Sequence, residues 1–196
     1  MKREGFFAER VFPVLFMAVI TAVCITVVSG IYLYTKDRVA LNETLFLKKA
    51  VLYAAGFPVP ADPKDIEKSY AEHARDVASE SGELSYIELY DKPGELLGYA
   101  YIANGPGLWG EIQAVIAYST DLSTMRGIDF VKQSETPGLG ARISEEWFRE
   151  QFRGKRGPFS IVPEGTAAKE NEFDAITGAT RTSDFILALV NKAPAE

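Results

Sequence analysis

The sequence predicts an α+β protein, with one N-terminal transmembrane helix followed by an antiparallel-sheet domain with flanking helices. Three observations predict it. Residues Val11 to Tyr34 form a stretch without a single charge. Four later segments, joined in part by short turns, have the character of strands. The chain then closes on a segment whose apolar residues Ile186, Leu189 and Val190 fall on one helical face.

The apolar run comes first. As a helix, its 24 residues reach about 36 Å, enough to cross a hydrocarbon core of roughly 30 Å with some tilt. Phe12, Tyr32 and Tyr34 lie near its ends, as interfacial aromatic residues do. A cleaved signal peptide would have a shorter apolar region, so the run reads as an anchor in the lipid bilayer. Lys2, Arg3 and Arg10 precede it and Lys36, Arg38, Lys48 and Lys49 follow it, so charge does not decide the orientation.

From Asp37 to Ala55 the spacing of Val39, Leu41, Leu45, Leu47, Val51 and Leu52 is helical, and Gly56 with Pro58 and Pro60 supplies the stop. A polar helix is expected near Lys64 to Val77, with Asp62 as N-cap and Pro63 in its first turn. Strands are expected at Leu84 to Tyr90, Leu96 to Ala103, Ile112 to Tyr118 and Met125 to Val131. Turns at Lys92-Pro93-Gly94 and Ser119 to Ser123 make neighbouring strands antiparallel. A short helix is expected from Ser144 to Phe152 with Ser144 as N-cap, and the last helix from Thr182 or Ser183.

Composition narrows the chemistry. The net charge of −6 argues against a nucleic-acid partner, since a phosphate backbone needs a basic face. One cysteine, Cys24, and one histidine, His73, cannot build a thiolate zinc site, an iron–sulfur cluster or a bis-histidine haem. If the protein moves electrons, it needs an organic cofactor. His73 reads as a solvated surface residue. Arg149, Arg153, Lys155 and Arg156 read as a solvated face, with a docking patch as the alternative.

Three glycine-bearing segments carry the functional signal. GPGLWG, Gly105 to Gly110, lies between two expected strands. It could be an ordinary connection with Trp109 buried. SETPGLGARI, Ser134 to Ile143, could be a type II turn at Pro137-Gly138. DAITGATRTS, Asp174 to Ser183, sets Thr177, Thr180, Thr182 and Ser183 around Gly178 just before a helix. A helix N-terminus offers unpaired N–H groups and partial positive charge to a phosphate, and the hydroxyls add donors or an attachment point. The same residues could simply cap the helix. None of the three is a Walker loop or a Rossmann fingerprint.

In this order the three motifs resemble those of the FMN-binding subunits of ion-pumping redox complexes, namely the G subunit of the Rnf complex and the C subunit of the sodium-translocating NADH:quinone reductase. The resemblance extends to the N-terminal membrane helix, to LYAAG at Leu52 to Gly56, and to Trp147, Phe152 and Lys155. It implies a cytoplasmic N-terminus at 1–10, a transmembrane helix at 11–34, a helical stalk and helix at 35–80, and an FMN-binding domain at 81–196 outside the cytoplasmic membrane. It also implies FMN attached through its phosphate to Thr180 by a flavin transferase that uses FAD. Thr177 replaces the serine usual in the family, and Gln133 stands where the family has histidine.

On this basis Glu135, Thr136, Gly138, Leu139 and Gly140 are placed along the flavin. Leu108 and Trp109 are placed over its ring. Thr182 and Ser183 are placed with the helix N-terminus at the phosphate, and Thr177, Gly178 and Ala179 are counted with them as cofactor-binding. The expected function is electron transfer within a membrane complex, with donor and acceptor chemistry on other subunits. Two further readings are a self-sufficient membrane flavin reductase, with Glu135 as its acid–base group, and a redox-sensing or scaffold subunit.

Overall fold

A computed structural model of the chain describes Gly5 and residues 10–78 and 84–192. Lys2 and Arg3, most of the expected 1–10 segment, residues 79–80 of the expected 35–80 segment, and residues 81–83 and 193–196 of the expected 81–196 segment lie outside them. The chain divides into two compact units, Met1–Glu43 and Thr44–Glu196.

The first unit holds the greater part of α1 (Phe12–Ala55), whose last residues belong to the second. This is the helix, among the described residues, long and apolar enough to cross a membrane. A window of it has a mean hydropathy of 2.6 and is unburied. Thr26 and Thr35 donate their hydroxyls to the carbonyls of Ala22 and Ile31 one turn back. That satisfies both polar groups without water.

In the second unit the last turns of α1 bury Ala50, Val51, Leu52, Ala54 and Ala55. The helix stops as expected at Gly56. Its φ of +89° permits the paired closing bonds Gly56 N to Tyr53 O (3.0 Å) and Phe57 N to Leu52 O (2.9 Å). The next helix, α2 (Pro63–His73), starts where expected, with Asp62 accepting from the Lys64 amide at 2.8 Å.

Five strands form one antiparallel sheet in sequential order: β1 (Ala74–Ala78), β2 (Leu84–Lys92), β3 (Glu95–Pro106), β4 (Glu111–Ser119) and β5 (Met125–Lys132). The sheet is covered on both faces. In β4, Val115 and Ala117 join a core with the end of α1, Tyr70 of α2, Ile87 and Leu89. Ala114, Ile116 and Tyr118 join the opposite core with Phe148, Phe152, Phe173, Ile186 and Leu189. Burial on both sides explains why β4 reads as a nearly continuous apolar run. Over the second face lie a 3₁₀ turn (Gly140–Ser144), α3 (Glu146–Glu150), the parallel pair β6 (Ser160–Val162) and β7 (Glu172–Asp174), and α4 (Thr180–Lys192).

Several expectations are corrected. The polar helix ends at His73, four residues before Val77, because Ala74–Ala78 pairs with β2 (Ala74 opposite Leu89). Cross-strand pairing overrides a segment of good helix formers. The short helix begins at Glu146, since Ser144 closes the 3₁₀ turn and Glu145 precedes the helix without a side-chain capping bond. The last helix begins at Thr180. The parallel pair β6–β7 has no counterpart among the expected elements.

His73 is half-buried rather than solvated. Its ring lies 4.2 Å from that of Phe57, and its Nδ1 lies 2.9 Å from the Ser69 carbonyl. Arg149 and Arg153 are not a solvated face either. Arg149 stacks 3.9 Å over the Tyr53 ring and pairs with Asp129 at 2.6 Å, while Arg153 donates to the Tyr53 and Arg126 carbonyls.

Candidate functional site

The site grows from the tip of the β3–β4 hairpin. The strands pair up to Pro106 opposite Glu111, leaving Gly107-Leu108-Trp109-Gly110 as the loop, closed by Gly107 N to Gly110 O at 2.7 Å. Trp109 is not buried: it is 69% exposed, and Leu108 beside it 53%. Two large apolar side chains held in water at a loop tip mark a surface that meets something.

The second loop follows β5. Leu139 N bonds to Thr136 O at 3.1 Å, and Gly138 between them has a φ of +75°. This is the geometry a type II turn at Pro137-Gly138 demands. The turn leaves Leu139 42% exposed. Before it, Gln133 accepts from the Glu135 amide at 2.7 Å, so it shapes the backbone entering the motif.

The third loop repeats the same device. Ala179 N bonds to Ile176 O at 2.9 Å, with Gly178 at φ +80°. A Cβ on Gly178 would come within 3.0 Å of Leu139 Cδ2, so the second and third loops touch there. Asp174, at the head of this motif, accepts from the amides of Thr166 and Ala167, which makes it a support of the loop.

The four hydroxyls of the third motif divide into two pairs. Ser183 is fully buried. It donates to the Ala179 carbonyl and accepts from the Ile176 amide. Thr182, 1% exposed, donates to Glu135 Oε2. The side chains expected to receive a phosphate at these two positions are thus committed inside the protein. Thr177 and Thr180 are exposed, and Thr180 is the first residue of α4.

Glu135 joins the three motifs. Its buried carboxylate accepts from the amides of Leu108 (2.7 Å) and Trp109 (3.3 Å) and from the Thr182 hydroxyl. Both of its oxygens are thus engaged by the protein's own donors.

Two residues that tie the third loop in place escape the sequence reading. Glu164 accepts from the Thr177 amide at 2.8 Å and pairs with Arg142 at 3.0 Å, tying the third loop to the 3₁₀ turn. Arg142 also lies 5.0 Å over the Trp147 ring. Arg142 follows ETPGLG closely enough to be noticed, whereas no local signal marks Glu164.

The Arg142 guanidinium and the Thr177 amide hold the Glu164 carboxyl at about 2, below its ordinary value of 4.5. A depressed folded-state value means the tie is complete above about pH 4.5 and is lost as pH falls through about 2. Amide exchange at Thr177, corrected for its intrinsic pH dependence, is expected to lose protection across that window. Arg142→Ala should move the loss upward, toward about pH 4. An unmoved midpoint would mean that Arg142 does not hold the carboxylate.

The residues around the three loops fit a flat apolar ring system carrying a phosphate. Leu108, Trp109 and Leu139 are exposed apolar groups, and Thr177 and Thr180 are exposed hydroxyls at the start of a 13-residue helix. Residues 107–195 match the FMN-binding domain family. The chain is also 37% identical over 160 residues to the G subunit of the Na(+)-translocating ferredoxin:NAD(+) oxidoreductase complex of Acetobacterium woodii, covering 76% of this chain and 71% of that one. The chain belongs to the family of Rnf G subunits and Nqr C subunits. A Neisseria meningitidis member, the C subunit of the Na(+)-translocating NADH-quinone reductase, is 31% identical over 156 residues (69% of this chain, 60% of that one).

The fold agrees with that membership. The crystal structure of the reductase's C subunit from Parabacteroides distasonis superposes with a TM-score of 0.66 at 25% identity, covering 81% of this chain and 92% of that one. The Shewanella oneidensis protein, at 17% identity and a TM-score of 0.64, covers 74% and 88% and shares the fold.

Proposed function

We propose that this chain is the membrane-anchored electron carrier of an Rnf-type ion-translocating ferredoxin:NAD(+) oxidoreductase, holding one FMN through a phosphoester to Thr180. The observation that carries the reading is exposed Thr180 at the head of α4, in a chain of this family whose motif loops also expose Leu108, Trp109 and Leu139. When bound, FMN exchanges one or two electrons and so connects two-electron with one-electron partners.

The protein's own residues do the rest. Leu108, Trp109 and Leu139 cover the ring and exclude water. The first turn of α4, with the N–H groups and partial positive charge of a helix N-terminus, receives the phosphate. Gly178 keeps the approach to Thr180 open. Gly138, Gly140, Thr136 and Ala179 set the backbone of the two turns, and Thr177 offers its hydroxyl at the rim.

The wider reading follows the family. The chain works with the other subunits of a membrane redox complex and is loaded by a flavin transferase. α1 anchors it in the cytoplasmic membrane of a bacterium or archaeon, with residues 1–10 inside and the 81–196 domain outside. The stalk and helix of 35–80 lie between. The 37% identity over 160 residues to the Acetobacterium protein favours the Rnf branch, while the similarity in fold to the Parabacteroides protein supports the quinone-reductase branch as a second reading.

The test is the intact mass of the protein purified from its native membrane, with flavin fluorescence read in a denaturing gel. A covalent increment of one FMN is expected. An unmodified mass with no in-gel fluorescence would sink the covalent-carrier reading.

A further inference from the structure

The geometry assigns Glu135 a role apart from flavin contact. We propose that it is the positioning residue of the site. One carboxylate oxygen pulls the Leu108 and Trp109 amides inward, and the other fixes the first turn of α4 that bears Thr180. Its bearing on flavin attachment rests on the function proposed above.

Four observations carry this. Glu135 is 5% exposed, at a place where an unpaired carboxylate would be costly. Its Oε1 takes the amides of Leu108 and Trp109, which follow β3, and its Oε2 takes the Thr182 hydroxyl from α4. A Cβ at Gly107 would stand 2.7 Å from Oε1. A Cβ at Gly140 would stand 2.7 Å from Oε2 and 2.5 Å from Thr182 Oγ1. Two motif glycines thus make room for a carboxylate of the protein itself.

A consequence follows for how the loop meets its ligand. The amides of Leu108 and Trp109 are spent on Glu135, so the loop offers a flavin its apolar side chains and not these N–H donors. Across the tip itself, Gly107 N bonds to Gly110 O. Charge-assisted bonds from a fixed carboxylate hold two exposed apolar side chains in place before any ligand arrives. That preorganisation lowers the ordering cost of binding.

The experiment has two arms on the full chain in detergent. In the first, amide exchange at Leu108 and Trp109 is measured in a Thr180→Val background, so the result does not depend on flavin. Glu135→Ala is expected to speed exchange at these two amides about thirtyfold or more, with Val115 and Ile116 of β4 unmoved. Glu135→Gln, whose Oε1 can accept in the same place, should change it less than about threefold. Unchanged exchange in Glu135→Ala overturns the proposal. If that variant does not fold, Gly140→Ala is read instead. Acceleration at Leu108 and Trp109 is again expected, and its absence again overturns the proposal.

In the second arm Thr180 is intact and the flavin transferase is coexpressed. Covalent flavin should fall about tenfold or more in Glu135→Ala and recover to within about twofold in Glu135→Gln. Wild-type attachment with wild-type visible absorption in Glu135→Ala overturns the positioning role. A wild-type chain that itself carries no flavin would sink the proposed function, and the exchange arm would still decide the tie.

Discussion

Thr180→Val is expected to leave the chain folded and without covalent flavin. The motif holds four hydroxyls, and packing separates them. Thr182 and Ser183 are buried and bonded to Glu135, Ala179 and Ile176, so neither can be reached by a transferase. Thr177 and Thr180 are exposed. The Thr177 amide is already held by Glu164, while Thr180 opens α4, where the N–H groups and field of a helix N-terminus favour a phosphodiester. Valine matches threonine in shape and removes only the nucleophile. At an exposed first-turn position the cost in stability should stay within about 0.5 kcal/mol. Attachment should fall by about a hundredfold or more, because no neighbouring hydroxyl stands in the same place. Thr180→Ser, with its hydroxyl kept, should be modified in part, and Thr177→Val should be modified fully. Intact mass of the three variants reads all of this. Flavin retained in Thr180→Val and lost in Thr177→Val would move the attachment site.

How much of this is legible in the sequence depends on the range of each interaction. The helix stop at Gly56, the Asp62 cap, strands β2 to β5 and the Pro137-Gly138 turn are local, and their residues announce them. Ala74–Ala78 is a strand because β2 lies beside it, and nothing within those five residues says so. Trp109 is open to a buried reading because a tryptophan is usually covered. Its exposure follows from the Glu135 bond that turns the loop's amides inward and leaves the side chains outside. Arg149 and Arg153 look like any surface arginines until Tyr53, roughly a hundred positions earlier, is brought beneath them. Thr182 and Ser183 have the chemistry of phosphate ligands, and only the packing of α4 on the sheet shows their hydroxyls taken. The motifs locate the site, but which of their groups face inward is set by contacts distant in sequence.

Gly127→Ala should be among the most damaging changes away from the site. Gly127 lies in β5 opposite Ala117, where the end of α1 crosses the sheet. A Cβ there would stand 2.6 Å from the Ala54 carbonyl and 2.9 Å from Arg153 Nη1. Neither can yield cheaply. Ala54 belongs to the last turn of α1, whose carbonyls are capped from the sheet side, Ala55 by Arg126 and Tyr53 by Arg153. Arg153 is further held by Glu150 and by the Arg126 carbonyl. The methyl group must displace the helix end or pull the guanidinium from its carbonyls, at a cost of about 2–4 kcal/mol. A lowered urea midpoint for the second unit is the expected result. Arg153→Lys, which keeps the charge and loses the fork, should cost less. The flavin chemistry should survive the change at permissive temperature. Ala117 is six residues along β4 from Glu111, the edge of the Gly107–Gly110 loop, which puts the lesion roughly 20 Å from the loop. A Gly127→Ala protein within about 0.5 kcal/mol of wild type would mean that the end of α1 is not seated against β5. A chain destabilised as expected yet still fully flavinylated would separate the two tasks of the domain, gripping the end of its helix and holding its cofactor, at opposite ends of one strand.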